Sequence, residues 1–332
     1  MNMALLIIIK VLGVVGVAFL SVFVGLLYKG IDRKLAAHMQ GRVGPPILQP
    51  FWDVGKLLQK ENIVPDNAVV WLFNSVPFLA LISTITVMMY IPMGGLPPVL
   101  FGSGDVIVIV YLLTIAGISM VIGGSSSGSP YAAVGAQREM VTMISYELPL
   151  VMVVISLAWR ISKLTSLPAF SLLTFVRYPL WSYTGFLGGL GLLILLVVLL
   201  MVTPAELSKL PMDLPEAETE IAGGLLAEYS GRNLALFYIA DAVKVVVMAS
   251  LVVVLFFPYG ISGVLGISGG LAYVVDFLFF WVKVLGIMIF DVTSIRVAAA
   301  RFKINQVTTA YWMPVFFLSL VGLGLLAVDM AL

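Results

Sequence analysis

Eight apolar runs decide what this chain can fold into. They lie near Ala4–Leu27, Val69–Ile91, Val106–Gly124, Val141–Trp159, Phe186–Val202, Leu234–Phe257, Leu271–Phe290 and Trp312–Ala331. Each is long enough to cross about 30 Å of hydrocarbon at about 1.5 Å per residue. Of the 332 residues only 11% are charged and 61% are hydrophobic, whereas about a quarter of a soluble domain is charged. The expectation is an all-α membrane protein: eight transmembrane helices in a single polytopic domain spanning residues 1–332.

The same counts exclude several functions. Net charge is +1, so no basic field points to nucleic acid. Cysteine is absent, which removes disulfides, thiolate metal sites and iron–sulfur ligation. His38 is the only histidine, too few for a histidine metal centre or a haem held by two histidines. No cofactor is therefore expected in this chain, and a redox group would belong to a partner. The N-terminus lacks a basic segment followed by a cleavage site and reads as a retained first helix.

Lys and Arg in the connections set the orientation. The odd-numbered connections carry twelve (Lys29, Arg33, Lys34, Arg42, Lys56 and Lys60 in the first alone) and the even-numbered ones three. Odd connections are then cytoplasmic and both termini lie outside the cell membrane. The longest connections, about 28–68 and 203–233, are where a cytoplasmic partner would dock. In the first, Gly44-Pro45-Pro46 stops any helix. The residues from Ile47 to Leu58 then read as a short interfacial amphipathic helix.

The fifth connection concentrates acid: Glu206, Asp213, Glu216, Glu218, Glu220 and Glu228. Asp213-Leu-Pro-Glu216 has the form of a helix start. A helix running on from it would put Asp213, Glu216, Glu220 and Glu228 within an arc of roughly 120°. Two readings fit: a solvated, helix-capping loop, or neighbouring carboxylates that raise one another's pKa and pass protons.

Charge also stands inside the runs. Glu147 lies near the centre of the fourth, where a lone ionised carboxylate is costly. Pro149 beside it weakens the helix ladder, and Arg138 and Glu139 sit at its cytoplasmic mouth. Asp241 and Lys244, three apart, are spaced to pair. Asp276, Lys283 and Asp291 follow at spacings of seven and eight, on one helix face. They read as interhelical ion pairs or as a polar track joining Glu147 to the acidic connection. Arg296, Arg301 and Lys303 near the last cytoplasmic surface read as anchors or as a docking site.

Four segments carry a family resemblance: MQGRVGPPILQPFWDVGKLLQKE, GAQREMVTMISYELPL, PMDLPEAETEIAGGLLAEYSGRNLALFYIAD and RVAAARFKINQ. In that order they resemble the complex I membrane subunit that contacts the peripheral arm, and its homologues in membrane-bound NiFe hydrogenases. The likeness runs from Asp32 to Gln306.

It implies that Asp213, Glu216, Glu218, Glu220 and Glu147, with Glu228 alongside, begin an ion path, and the polar track read above through Asp241, Lys244, Asp276 and Lys283 would continue it. Arg42 and Arg138 match arginines near the peripheral arm, with Glu139, Arg296 and Arg301 on the same interface. The implied role is that of a non-catalytic subunit in a ferredoxin-dependent, membrane-bound hydrogenase-type complex, linking redox arm to ion-translocating module. Implied partners are NiFe-type large and small subunits, a ferredoxin-like iron–sulfur subunit, antiporter-like membrane subunits and external ferredoxin. Iron–sulfur clusters and a NiFe centre would then lie in those partners.

The loop after Gly44 is shorter than in the complex I subunit, as in the hydrogenase-type homologues. Asn305 stands where the family usually has an acid. Sulfane sulfur reductase, formate hydrogenlyase, a quinone-reducing complex, a self-contained ion transporter and a structural anchor are the alternatives.

Overall fold

The computed structural model describes the backbone of residues 3–332 and the side chains of residues 8 and 10–332. Its long helices are α1 (Met3–Met39), α3 (Val70–Tyr90), α4 (Asp105–Ser126), α5 (Pro130–Leu164), α7 (Phe186–Glu206), α9 (Gly231–Phe256), α10 (Gly270–Ala298) and α11 (Ile304–Ala331). All eight are long and apolar enough to span. Short helices α2 (Gln49–Gln59), α6 (Leu172–Arg177) and α8 (Glu218–Ile221) lie between them.

The eight spans and the amphipathic α2 are where the hydropathy and the proline stop place them. Several ends differ. α1 runs on to Met39, so Lys29, Asp32 and Arg33 are helical, and α5 begins at Pro130, which makes the GAQRE segment its first turns. Amphipathic turns at a helix end extend a span beyond its apolar run, because backbone bonding carries through polar residues at no cost.

α9 is the central helix. Its side chains from Ala242 to Phe256 are buried without interruption, and α1, α3 and α10 pack on it while α7 pairs with α11. Between helices in lipid there is little hydrophobic driving force, so close backbone approach and dispersion do the holding. Gly25 on α1 shows this: a Cβ there would stand 2.9 Å from the Ala242 carbonyl on α9.

Two spans are interrupted by π turns, Met288–Thr293 in α10 and Tyr311–Val315 in α11. The second contains Pro314, which lacks an N–H and crowds the preceding turn; one extra residue relieves both faults. The first contains Asp291 and no proline.

Candidate functional site: a charged chamber above a buried carboxylate row

A cavity of about 490 Å³ opens at the end of the bundle that bears the odd-numbered connections. α1 supplies Lys29, Asp32 and Arg33. The fifth connection supplies Ser208, Lys209, Asp213, Glu216 and Glu218, α9 supplies Tyr238 and Asp241, and the α10 end supplies Arg296 and Arg301. Five acids thus face five bases, so the lining is charged but balanced.

Ion pairs fix this lining. Asp241 accepts from Lys29 at 2.6 Å and from Lys209 at 2.8 Å, and the Lys29 ammonium stands 3.5 Å from the Tyr238 ring centre. Arg301 grips Asp213 with two parallel bonds, 2.7 Å from Nε and 2.5 Å from Nη2, and reaches Thr219 at 2.9 Å. Bidentate pairing of this kind specifies geometry as well as charge. Arg138 donates to Glu220 at 2.6 Å, and Arg296 and Thr293 each donate to Asp32 at 2.7 Å. Arg33 holds Asp53 of α2 at 3.0 Å. Four separate connections are therefore stitched into one surface.

Below the chamber lies a second cavity of about 20 Å³, lined by Ser208, Glu216, Asp241 and Lys244 among apolar side chains. That is room for about one water with polar partners. Beyond it, Glu139 is 1% exposed and accepts from the Ser208 hydroxyl at 3.1 Å. Ser208 has φ +47°, a conformation side-chain-bearing residues avoid. Glu206, 3% exposed, meets the Lys244 ammonium at 2.9 Å. Glu147 lies eight residues beyond Glu139 on α5, about 12 Å along the axis, and accepts from Thr114 at 2.9 Å. The carboxylates form a row from chamber to mid-helix.

Several expected placements are corrected. The stripe on one helix does not form. Residues 213–217 are irregular, α8 lasts four residues, and Ala222 and Gly223 end it at φ +51° and +91°. Pro215 fixes its own φ and lacks a donor, and the carbonyl of Pro215 instead accepts from the Leu225 N–H. Asp213 and Glu220 are spent on arginines, Glu218 is exposed, and only Glu216 turns into both cavities. Glu228 is half-buried, with no hydrogen-bond partner for its side chain among the described residues.

Asp241 and Lys244 do not pair with each other; each finds a partner on another element. Asp276 and Lys283 lie at the opposite end, where Asp276 holds the Ile261 and Ser262 N–H groups and Lys283 the carbonyls of Phe257 and Tyr259. They close a loop and do not extend the track. Glu139, expected on the docking interface, is inside the bundle. Arg42 is exposed. Sequence reasoning missed Lys29 and Lys209, which entered only the count that sets orientation, missed Asp32, and passed over Glu206 as a site residue. Its signal was an acid ending an apolar run without a break.

Of the groups outside the spans whose protonation is shifted, Glu216 and Lys209 bear on the row. Burial pushes the Glu216 carboxyl above the usual carboxylate range, although Lys209 and Lys29 pull it back. Burial pulls Lys209 down, but Asp241 and Glu216 outweigh it and hold its pKa above the ordinary lysine value. A raised folded-state pKa means that the protonated form favours the fold. For Glu216 that contribution is full below the unfolded carboxylate value and is lost as pH rises through the folded one. Thermal unfolding followed across pH should show that decline in the wild type, and Glu216→Gln should flatten it.

Comparison with known proteins gives the chain's family. The model of the family described as NADH dehydrogenase matches residues 10–327. The chain belongs to that family. Within the NADH dehydrogenase family, an NADH-quinone oxidoreductase subunit of Koribacter versatilis is 31% identical over 269 residues, 76% of this chain and 62% of that protein. Hydrogenase-4 component C of Escherichia coli is 33% identical over 237 residues, 70% of this chain and 71% of that one. Among solved structures, a chain of the membrane-bound sulfane sulfur reductase, an archaeal respiratory membrane complex, superposes with a TM-score of 0.81 at 25% identity. The superposition covers 96% of this chain and 99% of that one. The chain is thus a membrane subunit of a complex I-like or hydrogenase-type oxidoreductase, and quinone- and hydrogenase-named relatives share its fold.

Proposed function

We propose that this chain couples electron transfer in a docked peripheral arm to ion movement in the membrane, within a ferredoxin-dependent hydrogenase-type complex. The observation that carries the reading is the continuity from the chamber through Glu216 and the water-sized cavity to Glu139 and Glu206, with Glu147 farther along α5. The chamber lies where the first, fifth and seventh connections meet, so a catalytic subunit seated there would bring its changing charge beside Glu216. A change in that field shifts the protonation of Glu216, and the row behind it transmits the shift. The partners in this reading are NiFe-type large and small subunits, an iron–sulfur subunit and antiporter-like subunits.

A second reading, quinone reduction, is favoured by the NADH-quinone oxidoreductase relatives. The chamber's size suits a small ligand, but its five acids and five bases suit a polar head rather than an isoprenoid tail. The test is purification of the native complex through a tag on this chain, followed by reduced ferredoxin. Hydrogen evolution with nickel in the preparation supports the hydrogenase reading. Sulfide without hydrogen assigns the complex to sulfane sulfur reduction, and quinol formation overturns the first reading in favour of the second.

A further inference from the structure

Asp291 takes no part in the row described above, yet it is fully buried and neither of its carboxylate oxygens has a hydrogen-bond partner among the described residues. It sits in the π turn of α10, where Met288, Val292 and Thr293 are buried with it. There it lies beside Thr203 of α7 and Tyr311 of α11, itself in the other π turn.

Both neighbouring hydroxyls have already spent their protons. Thr203 donates to the Leu199 carbonyl at 2.9 Å and Tyr311 to the Met201 carbonyl at 2.5 Å. What they present to Asp291 is lone pairs. A carboxylate accepts only, so an ionised Asp291 would face acceptors at a fully buried position. A carboxylic acid has the donor that this surrounding needs.

Among the described residues no cation compensates the charge either. From α9, Lys244 is taken by Glu206 and Asp241 is itself an acid held by Lys29 and Lys209. From α1 comes Asp32, held by Arg296 and Thr293, and from α7 comes Glu206.

We propose that Asp291 is a proton-binding site, a neutral carboxylic acid at rest. It releases its proton when the Thr203 and Tyr311 hydroxyls turn from their backbone carbonyls to the carboxylate. Two hydroxyl donors then satisfy the anion, so the site has two complete hydrogen-bond arrangements, one for each protonation state. The π turns of α10 and α11 supply the slack for the change. An acceptor stands three residues along α7 from Thr203, on the same face: Glu206. The O–H bond of Asp291 breaks, an O–H bond forms on Glu206, and Lys244 loses its anionic partner while Asp291 becomes the anion. This deepens the coupling reading and rests on it for the use of the proton, but not for the proton's presence.

The test is infrared difference spectroscopy of the native complex in lipid nanodiscs over a pH series, with ions moved per electron measured in proteoliposomes. At neutral pH the wild type should show a protonated-carboxyl C=O band that is missing in Asp291→Asn. Ions moved per electron should be largely lost in that variant. In Thr203→Val with Tyr311→Phe, the band should persist to higher pH, because the anion has lost its donors.

An unchanged carboxyl region in Asp291→Asn overturns the site, as does a band in the double variant that disappears at the wild-type pH. If Glu139→Gln transports ions normally while the Asp291 band is present, the coupling reading falls and the proton site stands. If Glu139→Gln stops transport and Asp291→Asn loses no band, the reverse holds.

Discussion

Lys244→Met should destabilise the protein by about 3–5 kcal/mol. The cause is what it leaves behind rather than what it removes. Lys244 and Glu206 are both nearly inaccessible, with side chains 7% and 3% exposed, and the ammonium also bonds the Glu206 backbone carbonyl. Without it, the Glu206 carboxylate is stranded in a low-dielectric core and must take up a proton or draw in water. Removing both charges, in Lys244→Met with Glu206→Gln, should recover most of the loss, because an apolar and neutral pair of similar volume carries no desolvation penalty. Thermal unfolding of the detergent-purified complex, as single and double variants, measures both. Equal destabilisation in single and double variants would show that packing, not charge, holds this site.

Asp241→Asn should have an effect of the same order by the opposite route. Asp241 is the one acid between Lys29 and Lys209, both drawn to it within 2.8 Å. An amide leaves two ammonium groups facing each other across a partly buried site, with the Tyr238 ring and Glu216, which is hydrogen-bonded to neither, as the remaining counter-charge. About 3 kcal/mol of stability should be lost, and limited proteolysis should cut the segment around Lys209 sooner than in the wild type. Unchanged protection of that segment would show that the fifth connection is held by its other anchors, Arg301 and Arg138, alone.

The spans were legible because hydropathy over about 20 residues is a direct statement of the solvent. α2 was legible because proline punctuation and apolar spacing agree. Partner choice among charges was not. Asp241 and Lys244 share a face by spacing, but α1 and the fifth connection bring Lys29, Lys209 and Glu206 closer to each, and tertiary pairing outweighs the local pair. Spacing along α10 did not show that Asp276 and Lys283 tie down the loop at one end while Asp291 is fully buried toward the other. The acidic segment misled because a capping signal states how a helix begins and not how far it runs. Left-handed Ala222 and Gly223 end α8 after one turn. The fourth apolar run begins near Val141, which places Glu139 at its mouth, but eleven residues of helix precede that point and carry Glu139 into the bundle.

Whether the carboxylate row couples redox chemistry to transport is decided by ions moved per electron in proteoliposomes carrying the native complex, comparing wild type with Glu139→Gln. Glu139 sits between the chamber and the interior, bonded only to Ser208 among the described residues, so the amide fits the site yet cannot carry a proton. The ratio should collapse while the complex remains assembled and still transfers electrons. A wild-type ratio in that variant would contradict the coupling role and reduce the row to structural ion pairing.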